Sequence, residues 1–537
     1  MLKSLVSIRL RSMLIGTVGQ KKDCKGKGKG RIVGLSILFT ILILCFMLFS
    51  VCMAAPMAMV LVPMNMEWVF FALFNAITFS FVFIFSIFET KSELFEAKDN
   101  ELLFSMPIRS GDILVSRILS ILLINVGEAL IIMLPALVVF AVFGGSVLYV
   151  LTGLITSILL VFLATALSSA VGYLVALVAK RFKNHSLVTL FASLAFLILY
   201  FVFYGQLMAG LDMLEFDPEG AMTELSESLL IIKGLGDASM CEPLSTLILV
   251  LLTVGVCYIA YTVISKSYIG IISDKSGEKK KKYVKKTIEV SSAYSALVKK
   301  EFSKIYSSAS YMLNGAMGVL MQIVLAVFLL VSAESIMVEA EFIFTSFGMD
   351  SHGGMQLIGI LVASVFASLT TLTASAISLE GKNFWIIKSA PISAEVLMYA
   401  KLTPHVVLVG ASSLISSVLL MIAFRADLVY AIFYILAPIA TNLVFALFGL
   451  ILNIAFPKFD YENEAQVVKQ SLATFIITMV GMLFVFAMMF AAVACAIFLG
   501  PFMTVVLYTL LMLVLFVICF LILTGPSKRS LQKLLRA

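Results

Sequence analysis

Apolar runs of 20 or more residues recur from Val33 almost to the C-terminus. No soluble core of ordinary size can hide that many, so the bilayer is the solvent. In hydrocarbon each backbone amide must find its partner within its own segment or in a closed barrel. The runs are continuously apolar and do not alternate, which makes them helices and not barrel strands. The predicted fold class is therefore all-α, a polytopic membrane protein of about twelve transmembrane helices. The composition, 61% apolar and 13% charged, lies outside the soluble range.

Charged and Pro/Gly-containing breaks set the first six spans at Val33–Val62, Trp68–Phe88, Ile118–Phe143, Val147–Val178, Leu187–Met208 and Leu244–Ile264. The second six fall at Tyr311–Val331, Met355–Ile377, Leu402–Phe424, Leu428–Phe456, Ser471–Leu499 and Phe502–Leu523. Positive charge tests this count independently, because short loops that keep Lys and Arg stay on the cytoplasmic side. With the N-terminus inside, 36 of the 38 Lys and Arg fall in cytoplasmic segments, and only Lys233 and Arg425 fall outside. An odd number of spans would break that pattern, so both termini are expected in the cytoplasm. The loop between spans five and six carries Asp212, Glu215, Asp217, Glu219, Glu224, Glu227, Asp237 and Glu242, as an exterior segment can.

The resulting division is a cytoplasmic N-terminal interfacial segment at 1–31, a first six-helix repeat at 32–268, a basic linker with an entry helix at 269–304, a second repeat at 305–526 and a cytoplasmic tail at 527–537. Nine Lys and Arg precede the first run, which is too long for a signal-peptide core. Leu2 to Val18 mixes Leu5, Ile8 and Leu14 with Lys3, Arg9 and Arg11, as suits a helix on the inner membrane surface. The seven cysteines give no disulfide framework, and His185, His352 and His405 show no metal-ligand spacing. No catalytic, cofactor or metal site is expected in the chain.

The halves repeat each other. The loop after span two reads Leu103-Phe104-Ser105-Met106-Pro107-Ile108-Arg109-Ser110-Gly111-Asp112. The loop after span eight reads Ile387-Lys388-Ser389-Ala390-Pro391-Ile392-Ser393-Ala394-Glu395. Arg117 and Lys401 each stand ten residues past the proline. Proline disfavours helix at the residue before it, serine caps a new helix, and an acid suits the new positive end. Each loop is thus predicted to hold a short helix, a kink and a re-entry. Their apolar residues, Phe104 and Met106 in one and Phe384, Trp385 and Ile387 in the other, need a partner, either a protein or the membrane surface. A second pair of loops, Lys180 to His185 and Pro457 to Glu464, follows spans four and ten. The pattern is that of two parallel six-helix repeats.

Ser378-Leu379-Glu380-Gly381-Lys382-Asn383-Phe384-Trp385 then carries a resemblance, together with Pro457-Lys458-Phe459-Asp460-Tyr461-Glu462-Asn463-Glu464 and Leu297-Val298-Lys299-Lys300-Glu301-Phe302. The chain resembles the permease subunits of bacterial ABC exporters of the second class, in the large two-repeat form. The resemblance implies an entry helix in each half, coupling helices after spans two and eight, and alternating access. It implies residence in the bacterial cytoplasmic membrane and two copies of a separate ABC ATPase that carry the ATP and Mg. The coupling residues would be Leu103, Phe104, Met106, Pro107, Ile108, Trp385, Ile387, Pro391 and Ile392. No stretch of the chain matches Gly-x-x-x-x-Gly-Lys-Ser/Thr, so no phosphate cradle is expected here.

The basic run Glu278 to Lys286 reads as a solvated linker or as a contact for anionic headgroups. Glu128, near the middle of span three, is an intramembrane polar site or a hydrogen-bonded structural glutamate. The competing functions are an ion-coupled secondary transporter, disfavoured by the scarcity of mid-membrane ionisable residues, and a non-transporting immunity or scaffold protein. Nothing points to nucleic acid. The charge asymmetry predicts that an impermeant thiol reagent on intact cells labels Cys241 and spares Cys24, and labelling of Cys24 without lysis inverts the topology.

Overall fold

The computed structural model describes residues 6–7, 28–90, 94, 103, 105–181, 230–273, 291–346, 348, 350–461, 464–468 and 471–536. Among them the regular structure is helical throughout, with no strand. The chain divides into two compact units, Met1–Lys281 and Lys282–Ala537. The first holds α1 (Gly28–Leu61), α2 (Glu67–Thr90), α3 (Ser110–Val142), α4 (Val147–Arg181), α5 (Leu230–Ser239) and α6 (Pro243–Ser273). The second holds α7 (Ala293–Ser307), α8 (Ala309–Val331), α9 (Ala333–Ser346), α10 (Ser351–Leu369), α11 (Leu372–Ser375), α12 (Phe384–Ser389) and α13 (Ala394–Ala423). It continues with α14 (Leu428–Ala455), α15 (Glu464–Val468), α16 (Leu472–Leu499), α17 (Pro501–Ile522) and α18 (Lys528–Arg536).

Among the described residues ten helical stretches are long and apolar enough to cross a membrane, and α8 adds the shorter apolar stretch Gly318–Val331. The expected span Leu187–Met208, most of the N-terminal segment, the basic run at 278–286 and Phe104 lie outside the described residues. The helices leave large apolar side chains such as Val142, Leu428 and Phe498 exposed on their outer faces, where lipid takes the place of a core. Helix α3, 33 residues long, measures roughly 50 Å at 1.5 Å per residue against a hydrocarbon slab of about 30 Å. It is therefore longer than the slab is thick, and Arg117 lies within its first turns. Within each unit, the end that holds Arg117 or Lys401 is its basic end.

The sequence repeat is also a packing repeat. In the first unit span two packs on four (α2 on α4), three on four (α3 on α4), one on three (α1 on α3) and six on four (α6 on α4). The second unit makes the same four pairings, as α10 on α14, α13 on α14, α8 on α13 and α17 on α14. Interfaces are dense where small residues let backbones approach. At Gly481 a Cβ would sit 2.3 Å from the Ser368 carbonyl oxygen, and at Gly449 it would sit 2.4 Å from the Thr373 hydroxyl.

Two boundaries differ from the sequence reading. Span eight does not run to Ile377, because α10 ends at Leu369 and the chain continues as α11 and a 3-10 turn over Ser378–Asn383. Thr370, Thr371, Thr373, Ser375 and Ser378 are buried there, and the Ile377 and Ser378 amides are satisfied from α14, which hydropathy cannot see. The acidic segment before span six is likewise not all loop, since α5 packs on α2, α4 and α6. The Asn75 amide donates to the Ser239 hydroxyl at 2.9 Å, so α5 is tied to span two by a buried hydrogen bond.

Because backbone lies against backbone at Gly481, Gly481→Ala is expected to force α16 from α10 and lower the melting temperature in detergent by several degrees. Gly255→Ala, with open space around its Cβ position, is expected to leave it unchanged. Thermal scans of the two variants check this, and equal behaviour contradicts the packing described.

Candidate functional site

At the basic end of the second unit three lysines and two glutamates converge on segments far apart in sequence. Lys401, near the start of α13, is 3% exposed. Its ammonium donates to Glu301 of α7 at 2.7 Å, to Glu380 of the 3-10 turn and to the Ala376 carbonyl at 2.9 Å. Glu380 also accepts from Lys300 at 2.7 Å, and Lys304 pairs with it at 2.6 Å and lies 3.7 Å from Glu301. Burial of two carboxylates and an ammonium would cost several kcal/mol per ion if any stood alone, and the mutual pairing offsets that cost.

Lys304, mostly buried at the end of α7, is pushed down to about 8 by its burial and by the neighbouring Lys401 ammonium, against the pull of Glu301 and Glu380. Its folded value lies below the unfolded one, so the unfolded chain holds more protons from about pH 8 up to the ordinary lysine range. The contribution of Lys304 to stability therefore rises with pH across that window.

The turn that presents Glu380 is fixed from α14 and the loop after it. The Asn453 side-chain oxygen accepts from the Ile377 and Ser378 amides at 2.7 and 3.1 Å, and its nitrogen donates to the Ser378 hydroxyl at 2.8 Å. The same hydroxyl accepts from the Lys458 amide at 2.9 Å, and Tyr461 donates to the Leu379 carbonyl at 3.0 Å. Gly381 adopts φ 54°, ψ −138°, a region that glycine alone enters readily, and a Cβ there would lie 2.8 Å from the Tyr461 hydroxyl. Phe384 stacks on Phe459 with centroids 4.6 Å apart. The string Ser378 to Trp385 and the string Pro457 to Tyr461 are thus two sides of one joint.

Helix α12 carries the expected coupling residues. Trp385 is 64% exposed and Ile386 51%. Ile387, expected to be exposed with Trp385, is instead 4% exposed and packs inward with Phe384, Leu397 and Leu402. In a helix as short as Phe384–Ser389 only one side can face the core, and positions three apart share it. Ile386 takes the outward place. Pro391 is exposed and Ile392 half-buried. Ser393 caps α13 by accepting from the Val396 amide at 3.3 Å, with Glu395 in the first turn, as the spacing predicts.

The loop of the first unit shares the outline. Leu103 is buried with Leu94, Ile113 and Ile264, Ile108 packs against them, and Met106 and Pro107 are exposed. Ser110 is not the cap expected of it. Arg109 occupies that position with no side-chain bond to the helix, and Asp112 lies in the first turn. Arg117 is fully buried, as Lys401 is, and donates to the Leu94 carbonyl at 3.1 Å. Glu96, outside the described residues, precedes Arg117 by the same 21 positions that separate Glu380 from Lys401.

Within the spans, Asn125 donates to Ser86 at 3.0 Å and to Thr165 at 2.8 Å. Glu128, one turn along, has its Oε2 buried without a hydrogen-bond partner among the described residues, as have both ring nitrogens of the fully buried His405. The position matching Glu128 holds Ser412, which donates to Gln322 at 2.9 Å. Among the described residues no group of three or more His, Cys, Asp or Glu is placed to hold a metal.

The helical bundle, its lipid-facing apolar surface and its buried polar joint define a polytopic all-α membrane protein. The chain belongs to a family described as membrane proteins of 12 TMs, whose profile matches residues 32–528. Searches of curated proteins and of solved structures each found no match.

Sequence reasoning had Glu301, Glu380 and Lys401 within its motifs but not their convergence, and it missed Asn453 altogether. An asparagine at the end of an otherwise apolar span, just ahead of Pro457, was the available signal. Lys401→Met is expected to remove the buried cation that Glu301 and Glu380 share, leaving them the less buried Lys304, and to cost about 3–5 kcal/mol. The double variant Lys401→Met/Glu301→Gln is expected to recover part of that loss. Denaturant or thermal unfolding of the two variants in detergent decides it, and a Lys401→Met protein as stable as wild type would contradict the arrangement.

Proposed function

We propose that the chain is the membrane-spanning permease of an ATP-driven exporter, powered by separate ATPase subunits that bind ATP and Mg. The observation that carries this reading is the pairing of an exposed apolar tip, Trp385 and Ile386, with a rigid mount. Through Glu380 and Lys401 the tip is tied to α7 and to the first turns of α13. A push on α12 by a partner is therefore delivered to two helices at once and not absorbed by a loop. Buried ionic contacts suit that role because they tolerate few alternative geometries. Pro391 and the capped start of α13 form the elbow between tip and span. In this reading the basic end faces the cytoplasm, the side on which ATP is available, and an amphipathic or apolar substrate moves by alternating access.

A second reading, an ion-coupled carrier, draws on Glu128 and His405, whose buried polar atoms lack partners among the described residues. It needs no ATPase, and the two differ in where energy enters. The test is to purify the full chain, alone and co-expressed with each ABC ATPase of its source organism as a candidate partner. The chain alone is expected not to hydrolyse ATP. Trp385→Ala/Ile386→Ala is expected to insert and fold but to lose about a hundredfold in affinity for the ATPase. Wild-type assembly and hydrolysis in that variant, or proton-driven transport by the chain alone in liposomes, would overturn the ATP-driven reading.

A further inference from the structure

Span twelve does not end in a free tail. After α17 the chain makes a π-helical turn over Leu523–Ser527, where Pro526 lacks the amide a regular helix needs and widens the turn. The following α18 packs on α12, α13 and α14. Leu531 is fully buried there, and Leu534 and Leu535 pack on the same core as Phe384, Ile387 and Leu397. Lys528 pairs with Glu395 at the start of α13. Helix α18 therefore buries its apolar stripe beneath the helix that carries Trp385.

The opposite stripe of α18 is Arg529, Lys533 and Arg536, spaced to share one face, and all three are exposed. Lys382 and Lys388 are exposed on either side of Trp385 and Ile386, and the acids that flank them in sequence, Glu380 and Glu395, are already paired with lysines. Two helices in contact with each other thus present an exposed apolar pair on one and an exposed basic stripe on the other. An amphipathic helix that served the membrane surface would keep its leucines for lipid. Here the leucines are spent on the protein, and charge is what remains outward.

We propose that α18 and α12 together form one docking surface, and that its occupant is a soluble protein presenting an apolar groove with an acidic rim. This rests on the reading of α12 as the helix that engages the ATPase, and it adds the C-terminal helix to that contact and fixes the sign of the partner's charge. Complementary rim charges speed encounter and set orientation, while buried anchors set most of the affinity, so the two groups of residues differ in salt dependence.

The experiment measures binding of the ABC ATPase that assembles with the full chain on co-expression, in nanodiscs of neutral phosphatidylcholine and in nanodiscs containing anionic lipid, at low and high ionic strength. Arg529→Glu/Lys533→Glu/Arg536→Glu alters exposed positions and is checked by its unchanged melting temperature. It is expected to weaken binding about tenfold or more at low salt and much less at high salt. Trp385→Ala is expected to weaken binding at both. Wild-type affinity and wild-type salt response in the triple variant would overturn the proposal while leaving the docking role of α12 intact. A triple-variant defect that appears only in nanodiscs containing anionic lipid would overturn it in favour of headgroup binding. Undiminished binding by the Trp385 variant as well would remove the reading of α12 itself.

Discussion

The arrangement at the basic end of the second unit depends on one ammonium group. Lys401 sits out of solvent between two carboxylates from different segments, and without it Glu301 would keep only Lys304 at 3.7 Å, while Glu380 would rely on the more exposed Lys300 and Lys304. Such a cluster adds little net stability over a well-packed apolar core. What it supplies is specificity, because two carboxylates and one lysine fit in few geometries. Helix α7, the turn before α12 and the mouth of span nine are located by that fit.

Around this centre the neutral contacts follow a consistent logic. Buried backbone amides in a broken helix must find acceptors, and where span eight stops at Leu369 the Asn453 side chain supplies them for Ile377 and Ser378. Gly381 then turns the chain, the aromatic pair Phe384 and Phe459 closes the joint, and α18 packs against it with three leucines. The outward tip at Trp385 and Ile386 is thereby held by ionic, hydrogen-bonded and apolar contacts at once. That is a mount able to pass a displacement into the spans.

The two units share packing order but not this chemistry in full. Arg117 takes the place of Lys401 and is equally buried, with a backbone carbonyl among its acceptors. An arginine carries five donors in a fixed fork and does not give up its proton, whereas a lysine is a compact charge with three. Equivalent positions can therefore be filled by either cation only if the surrounding acceptors differ. The contrast between Glu128, with a buried oxygen that has no hydrogen-bond partner among the described residues, and Ser412, hydrogen-bonded to Gln322, shows the same divergence inside the membrane.

Hydropathy and charge along the chain determined that this is an all-α membrane protein, where most spans lie, and that its halves repeat. Those are properties of single segments in contact with lipid or water, and each segment carries its own signal. The capped restart at Ser393 was legible for the same reason, being a bond between residues three apart. The tertiary structure decided the rest. The acceptors of Lys401 lie 21 and 100 positions away, and no local pattern selects those two from the other acids. It placed Ile386 outward and Ile387 inward, because the side of a one-turn helix that meets the core depends on what is packed beneath it. It turned the C-terminal tail into a docked helix, and it ended span eight early, with the Ile377 and Ser378 amides beyond the break taking their acceptor from α14. Long-range partners of polar and charged groups are fixed by the folded backbone, whereas the preference of a residue for lipid or water is fixed by the residue itself.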